Sequence, residues 1–344
     1  MRIVLDAMGS DNHPDPEVGA AVEAARLFGD EIILVGHEDQ VQPKLDQFNG
    51  QAHSVRIVHA PEVLEMTDKP ARNARRKAMN SMAIGMELIK SGEGDAFITA
   101  GNTGGAMANA LFRLGRIRGL KRPALTVLLP VQGGHCVLLD IGANADCKPE
   151  YLLQFAQMGA VYAEKVLGIQ KPRVGLLSNG EEAGKGNELV KETYPLLEQI
   201  GVNFIGNVEG KEIFTGKTDV VITDGFTGNI LLKTSEAVAK MMINMLRDGL
   251  TSSTRTKMGA LLAKPAFSQI RKTLDPGEVG AAPLLGIKGL IFVGHGRSDS
   301  RALVSAVRVA RQAVSSDLLN ALTEAIQARF AATAKSQAEP SEVV

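Results

Sequence analysis

Tryptophan is missing from this 344-residue chain, and aromatic residues together make up only 4% of it. That scarcity argues against a nucleic-acid surface built on stacked rings. Net charge is absent too: 38 basic residues face 38 acidic ones, so no overall field recruits a polyanion. The two cysteines, Cys136 and Cys147, are too few for a disulfide framework or a zinc knuckle. They read as one buried and one loop thiol in a reducing compartment. Long hydrophobic runs are missing as well. The N-terminal run is Ile3, Val4 and Leu5, far short of a signal-peptide core. The longest charge-free stretches, Ala96–Phe112 and Pro123–Leu139, are broken by Gly, Asn, Thr or Gln. Neither offers the ~20 apolar residues a membrane span needs. The expectation is a cytoplasmic protein without a transmembrane helix.

What is present is a recurring alternation of short apolar runs and helical patterns. Strands are expected at Arg2–Asp6, Glu31–Gly36, Val55–His59, Ala96–Thr99, Arg173–Ser178, Asp219–Thr223 and Leu290–Gly294. Most are continuous apolar runs, as strands covered on both faces require. Helical patterns fall at Pro16–Phe28, Ala106–Leu114, Glu150–Leu167, Asn187–Ile200 and Ile230–Leu250. This order predicts an α/β protein with a mostly parallel sheet and helices on both sides. Ala124–Pro130 and His135–Asp140, joined through Gln132-Gly133-Gly134, predict one antiparallel pair. No repeat of fixed period is evident. Residues 1–330 read as a single large α/β domain with two interleaved lobes, and 331–344 as a small, polar tail that frays.

Three glycine-bearing loops share one grammar of apolar strand, polar loop and helix. They are Thr99-Ala100-Gly101-Asn102-Thr103-Gly104-Gly105, Ser178–Glu188 with Lys185 inside it, and Thr223-Asp224-Gly225-Phe226-Thr227-Gly228-Asn229. In a parallel sheet such loops leave the same carboxyl edge, so convergence on one crevice is expected. Glycines let backbone approach closely, and fresh helix starts present unpaired N–H groups and partial positive charge. Asn102, Thr103, Thr227 and Asn229 add neutral donors, and Lys185 a cation. Together they suit phosphate or a developing oxyanion; the competing reading is three tight turns. Asp6, Asp11 and His13, just past the first strand, are expected either to face the crevice or to cap the helix near Pro16.

Familiar catalytic signatures do not fit. No G-x-G-x-x-G follows the first strand, and Gly180–Gly186 is one residue too short for a P-loop and lacks its Ser or Thr. No G-x-S-x-G elbow occurs. The six histidines lack an H-E-x-x-H or C-x-x-C companion, so no metal site is expected. Cys147 is the one nucleophile worth naming, without an evident base nearby. Charge is uneven locally. Lys69, Arg72, Arg75, Arg76 and Lys77 form one basic stretch, and Arg113, Arg116, Arg118, Lys121 and Arg122 another. Lys233–Lys272 holds eight basic residues against Glu236 and Asp248. It also spaces Met241, Met242, Met245, Leu246, Leu250, Met258, Leu261 and Leu262 helically. Two readings stand for that stripe: core or dimer interface, and contact with an anionic membrane surface.

The segments LDAMGSD, ITAGNTGGAM, LLDIGANADCKPEYLLQFAQMG, RVGLLSNGEEAGKGNEL and VVITDGFTGNILLKT resemble the bacterial phosphate acyltransferases of phospholipid synthesis. The resemblance runs to about Arg311, with Ser10 standing where a second Gly is usual. It implies a three-layer α/β/α sandwich similar to isocitrate and isopropylmalate dehydrogenases and to phosphotransacetylase. It also implies a homodimer, in the cytosol or peripherally at the membrane, without a cofactor. The implied reaction converts acyl-(acyl carrier protein) and inorganic phosphate into acyl phosphate. The product would pass to an integral-membrane glycerol-3-phosphate acyltransferase. On that basis Lys185 is expected to neutralise phosphate, and Asn102, Thr103 and the Gly104 and Gly105 amides to cradle oxygens. Asn229 would position the thioester carbonyl, with Asp224, Gly225, Thr227 and Gly228 shaping its loop and Asp6 and His13 contributing to substrate binding. An acidic carrier would dock on Arg72–Lys77 or Arg113–Arg122. A phosphotransacetylase using acyl-coenzyme A, an oxidoreductase on the same fold and a peripheral membrane scaffold remain as rivals.

Overall fold

Most of the apolar runs form strands because both faces are covered: Ile3, Val4 and Leu5 of β1 (Arg2–Asp6) are wholly buried. The computed structural model describes residues 1–48, 50, 54–274, 277 and 280–338. In chain order the further strands are β2 (Glu31–Gly36), β3 (Val55–His59), β4 (Ala96–Thr99), β5 (Ala124–Val131), β6 (Gly134–Leu139), β7 (Val174–Leu177), β8 (Phe204–Val208), β9 (Val220–Ile222), β10 (Ala281–Leu285) and β11 (Ile291–Gly294). All belong to one sheet of order β3-β2-β1-β4-β11-β10-β5-β6-β9-β7-β8.

Two strands were not legible as such. Gly206 and Asn207 interrupt the apolar run of β8, and Pro283 sits inside β10, where it cannot donate to a ladder. The β5–β6 hairpin is present, with Thr126 opposite Leu139 and Val131 opposite Gly134. β10 adds two antiparallel pairings, with β11 and with β5. The consequence is large. The parallel block β3-β2-β1-β4-β11 and the parallel block β6-β9-β7-β8 point in opposite directions. Their carboxyl ends therefore lie at opposite edges, not at the single edge a uniformly parallel sheet would give.

Helices cover both faces. α1 (Asp15–Phe28), α6 (Pro149–Val166), α11 (Ser300–Ser315) and α12 (Leu318–Ala338) bury Val18, Phe155, Leu303 and Leu322 against one face. On the other, α4 (Ser81–Lys90), α5 (Thr103–Arg113) and α8 (Gly210–Ile213) contribute Met86, Ala106 and Ile213. α9 (Gly225–Thr251) packs Leu231 and Leu232 there. Smaller helices are α2 (Glu38–Leu45), α3 (Pro70–Arg76) and α7 (Glu188–Leu197), and α10 (Thr254–Leu274) follows α9. Backbone 331–338, expected to fray, continues α12, and 339–344 lie outside the described residues.

The two parallel blocks reuse one local device. Arg2 donates from its backbone N–H to Asp95 (2.8 Å) and from its guanidinium (2.9 Å). Arg173 holds Asp219 in the same way, at 2.7–2.8 Å. Asp95-Ala-Phe-Ile-Thr-Ala-Gly-Asn-Thr-Gly and Asp219-Val-Val-Ile-Thr-Asp-Gly-Phe-Thr-Gly then match at six positions. An internal echo without a fixed period escaped the sequence reading, because it spans ten residues and each copy pairs with a different strand.

Candidate active site

α9 is seated by its own first turn. The Asp224 carboxylate caps it, accepting the Thr227 N–H (2.8 Å) and the Thr227 hydroxyl (2.7 Å). This cap starts the helix five residues before the expected Ile230. Gly225 and Gly228 then lie on loop 140–144. A Cβ at Gly225 would stand 2.6 Å from the Asn144 carbonyl oxygen, and one at Gly228 would run into the Asp140 carbonyl. Only glycine permits that approach. Beneath them Asp140, wholly buried, accepts the N–H groups of Leu125 (3.0 Å), Ala143 (3.1 Å) and Asn144 (2.7 Å) and the Asn144 side-chain amide (2.9 Å). Burial pushes the Asp140 carboxyl upward, and these donors oppose that shift. Asp224, Gly225, Thr227 and Gly228 thus build the base of α9, and none lines a described cavity.

α5 is seated differently. Asn102 caps it by accepting the Gly105 N–H (2.9 Å), so that amide is not free for a ligand as expected. The Asn102 amide donates to the backbone carbonyl of Met66 (3.0 Å) and also reaches those of Glu65 and Asp68. Its side chain therefore fixes loop 65–68 over the helix start. Asp6 was expected at the crevice; it is instead wholly buried, accepting the Thr99 hydroxyl (2.6 Å) and the Met8 N–H (3.1 Å). Thr99 Oγ1 in turn accepts the Gly101 N–H (3.0 Å). Burial raises the Asp6 pKa. Asp6 acts on the glycine loop through Thr99, and its carboxylate also accepts a hydrogen bond from Ser81 at the start of α4.

Two cavities meet between these helix starts. A polar chamber of about 490 Å³ is lined by Asp11, Met66, Gly101, Asn102, Thr103, Gly104, Lys233 and Gly294–Gly296. An apolar groove of about 430 Å³ lies over β5 and β10, alongside α9. Thr103, Lys233, Gly294 and His295 line both. Asn229 lines the groove one turn before Lys233, ~6 Å along the axis. The first and third glycine loops leave opposite sheet edges, and α9, crossing the sheet face, carries Asn229 and Lys233 to the space beside Thr103. Lys233 and His295 were not singled out from the sequence. Their signal was modest: an i, i+4 relation to Asn229, and a position just past β11. Lys233 pairs with Glu236 at 3.5 Å. Burial first, then Lys233 and Arg297, push the His295 pKa below its ordinary value, so its ring is neutral at pH 7.

The second glycine loop stands apart. Lys185 is exposed and lines neither chamber nor groove; its loop follows β7, next to β9. His13 lines a separate cavity of about 340 Å³ with Met8, His37, Gln40, Glu62 and Lys77. Its Nδ1 lies 2.7 Å from the Ser10 carbonyl oxygen. Cys147 is half-buried, its thiol pushed up to about 12 by burial and the Asp140 charge. It stays protonated and is a poor nucleophile. Of the six histidines, His53 lies outside the described residues. Glu181, Glu209 and Glu212 cluster at the second loop, where Lys211 pairs with Glu181 and Glu209.

This arrangement defines an α/β/α protein of the phosphotransacetylase and dehydrogenase-like fold. A phosphotransacetylase from Staphylococcus aureus superposes with a TM-score of 0.60 at 14% identity, over 91% of this chain and 94% of that one. A 4-hydroxythreonine-4-phosphate dehydrogenase from Klebsiella pneumoniae gives 0.56 at 14% identity, over 91% and 99%. Residues 1–321 match the family described as "Fatty acid synthesis protein". The phosphate acyltransferase of Elusimicrobium minutum is 46% identical over 327 residues, 95% of this chain and 96% of its own length. The chain belongs to the phosphate acyltransferase family and is an acyltransferase of fatty acid and phospholipid synthesis.

Proposed function

We propose that the protein joins inorganic phosphate to a fatty acyl group carried as a thioester on an acyl carrier protein. One observation carries this reading: a polar chamber with a lysine opens directly into an apolar groove. A phosphate oxygen forms a bond to the thioester carbonyl carbon, the carbon–sulfur bond breaks, and the thiolate leaves and takes a proton from solvent. Phosphate needs no activated Ser or Cys, and a thiol with a pKa of about 8.5 leaves without a strong acid. The work left to the protein is positioning and charge stabilisation.

Lys233, the Thr103 hydroxyl and the Gly104 backbone hold phosphate in the chamber. Neutral His295 donates to the thioester oxygen, and Asn229 orients the thioester from the turn before Lys233. Asn102, Asp6 and Asp224 are positioning residues, acting through the helix starts they fix. Lys185, on the loop beside that of Asp224, stays outside the cavity and takes no part in holding phosphate. The test is formation of hydroxylamine-trappable acyl phosphate from a long-chain acyl-carrier thioester. Lys233→Ala should lower kcat/KM for phosphate by about 10², the scale of one lost transition-state donor. Lys185→Ala should leave kcat/KM for phosphate within about threefold of wild type. Full activity in Lys233→Ala would move the chemistry out of this cavity.

Of the two basic patches, α3 is the better carrier dock. Pro70 at its start lies against Gly104, and exposed Arg72 follows it, while Arg75 reaches along α5 to stack over Phe112 at 4.8 Å. Arg113 stands at the far end of α5, ~15 Å from the chamber end of that helix, where it donates to the Ala78 carbonyl just past α3. Among the described residues no helix is long and apolar enough to cross a membrane. The α9–α10 pair nevertheless exposes Met241, Met245, Met258, Leu261 and Leu262; α10 side chains past 267 lie outside the described residues. With Lys240, Arg247, Arg255, Lys257 and Lys264 around them, these residues form a face for an anionic bilayer. Co-flotation with anionic vesicles tests it; a concentration-dependent dimer that does not float would assign the face to a second copy.

A further inference from the structure

We infer that the apolar groove over β5 and β10 is the acyl-chain site and that its lining sets which chain lengths are accepted; this rests on the acyl-transfer reading above. The sheet-facing layer of α4, α5, α8 and α9 leaves a gap over the central antiparallel strands, and the groove is that gap. Its floor is Leu125, Val127 and Leu129 of β5, which share one face of the strand, with Ala282 and Val293 beside them. Its roof is α9, where Asn229, Leu232, Lys233, Glu236 and Ala239 fall on one helical stripe ~15 Å long.

The shape of the ligand follows from the ends. At one end Thr103, Lys233, Gly294 and His295 are shared with the phosphate chamber. Away from it, buried Leu125 and Ile141 line the groove. The one acid on the roof, Glu236, is paired with Lys233 at 3.5 Å. An unbranched apolar chain with a single reactive polar end fits this distribution. A coenzyme or nucleotide, polar along its length, does not.

The test compares hexadecanoyl and butyryl thioester donors on the full-length protein. Each methylene bound in the groove should raise kcat/KM by about fourfold in the wild type, from the free energy of burying one CH₂. Leu232→Trp narrows the groove from the helix and Ala282→Leu from the sheet. Each should cut the hexadecanoyl-to-butyryl ratio at least tenfold. Because a packing defect would lower both donors together, the ratio separates the groove from a folding loss. A second measurement needs no variant. A hexadecanoyl thioester with a terminal diazirine should cross-link to the peptides carrying 125–129 or 232–239. Ratios within twofold of wild type in both variants, or cross-links confined to 258–262, would overturn the inference. If no donor yields acyl phosphate, the reaction assignment falls, while a cross-link in the groove would still assign it to an acyl chain.

Discussion

Replacing Glu17 by Gln should make the protein more stable at pH 8 and leave it nearly unchanged at pH 4. Glu17 lies on α1, wholly buried, and accepts the Ser10 N–H at 2.9 Å. Its other oxygen has no partner among the described residues. Burial raises its pKa from 4.5 to about 7. The folded chain therefore keeps a proton that the unfolded chain releases between those values. Unfolding loses protons in that window, so stability falls as pH rises from 4.5 to 7 and the deficit is constant above it. The gap between 4.5 and about 7, at about 1.4 kcal/mol per pH unit, corresponds to about 3 kcal/mol. Gln is neutral throughout and keeps an oxygen for the Ser10 N–H. Urea unfolding of both proteins across this range isolates Glu17 from every other titrating group, since only the difference between the curves is read. That difference should grow by about 2–3 kcal/mol toward pH 8, most of it below pH 7. Parallel curves would refute the reasoning, because they would mean that Glu17 ionises in the folded protein as readily as in the unfolded one.

Cys147→Ala should retain acyl phosphate formation, since the thiol is held up at about 12; a folded, inactive variant would restore an acyl-cysteine route. Asp140→Ala strips an acceptor from the buried N–H groups of Leu125, Ala143 and Asn144. It should cost about 3 kcal/mol or more by urea unfolding, and a loss below about 1 kcal/mol would mean that loop 140–144 repacks freely. Reversing Arg72 and Arg75 to Glu should raise the carrier KM and flatten its salt dependence. The same change at Arg118 and Lys121 should do neither, and the opposite pattern would move the dock to that patch.

Much of the fold was written into local sequence. Continuous runs such as Ile3-Val4-Leu5 and Phe97-Ile98 specify strands buried on both faces, and Gln132-Gly133-Gly134 specifies the hairpin, because these signals act over a few neighbours. Asn102 and Asp224 are caps of the same local kind, although the periodic apolar pattern after each begins only at Ala106 and Ile230. What local pattern cannot carry is direction. Whether β10 inserts antiparallel between β11 and β5 depends on pairings across more than a hundred residues, and that insertion turns one parallel block against the other. The reversal separates the glycine loops onto opposite edges, leaves Lys185 outside the cavity, and lays α9 across the gap so that Lys233 and His295 share it with Thr103. Residue chemistry fixed which groups suit an anion and a thioester; only the packing of α9 over the sheet decided which of them stand together.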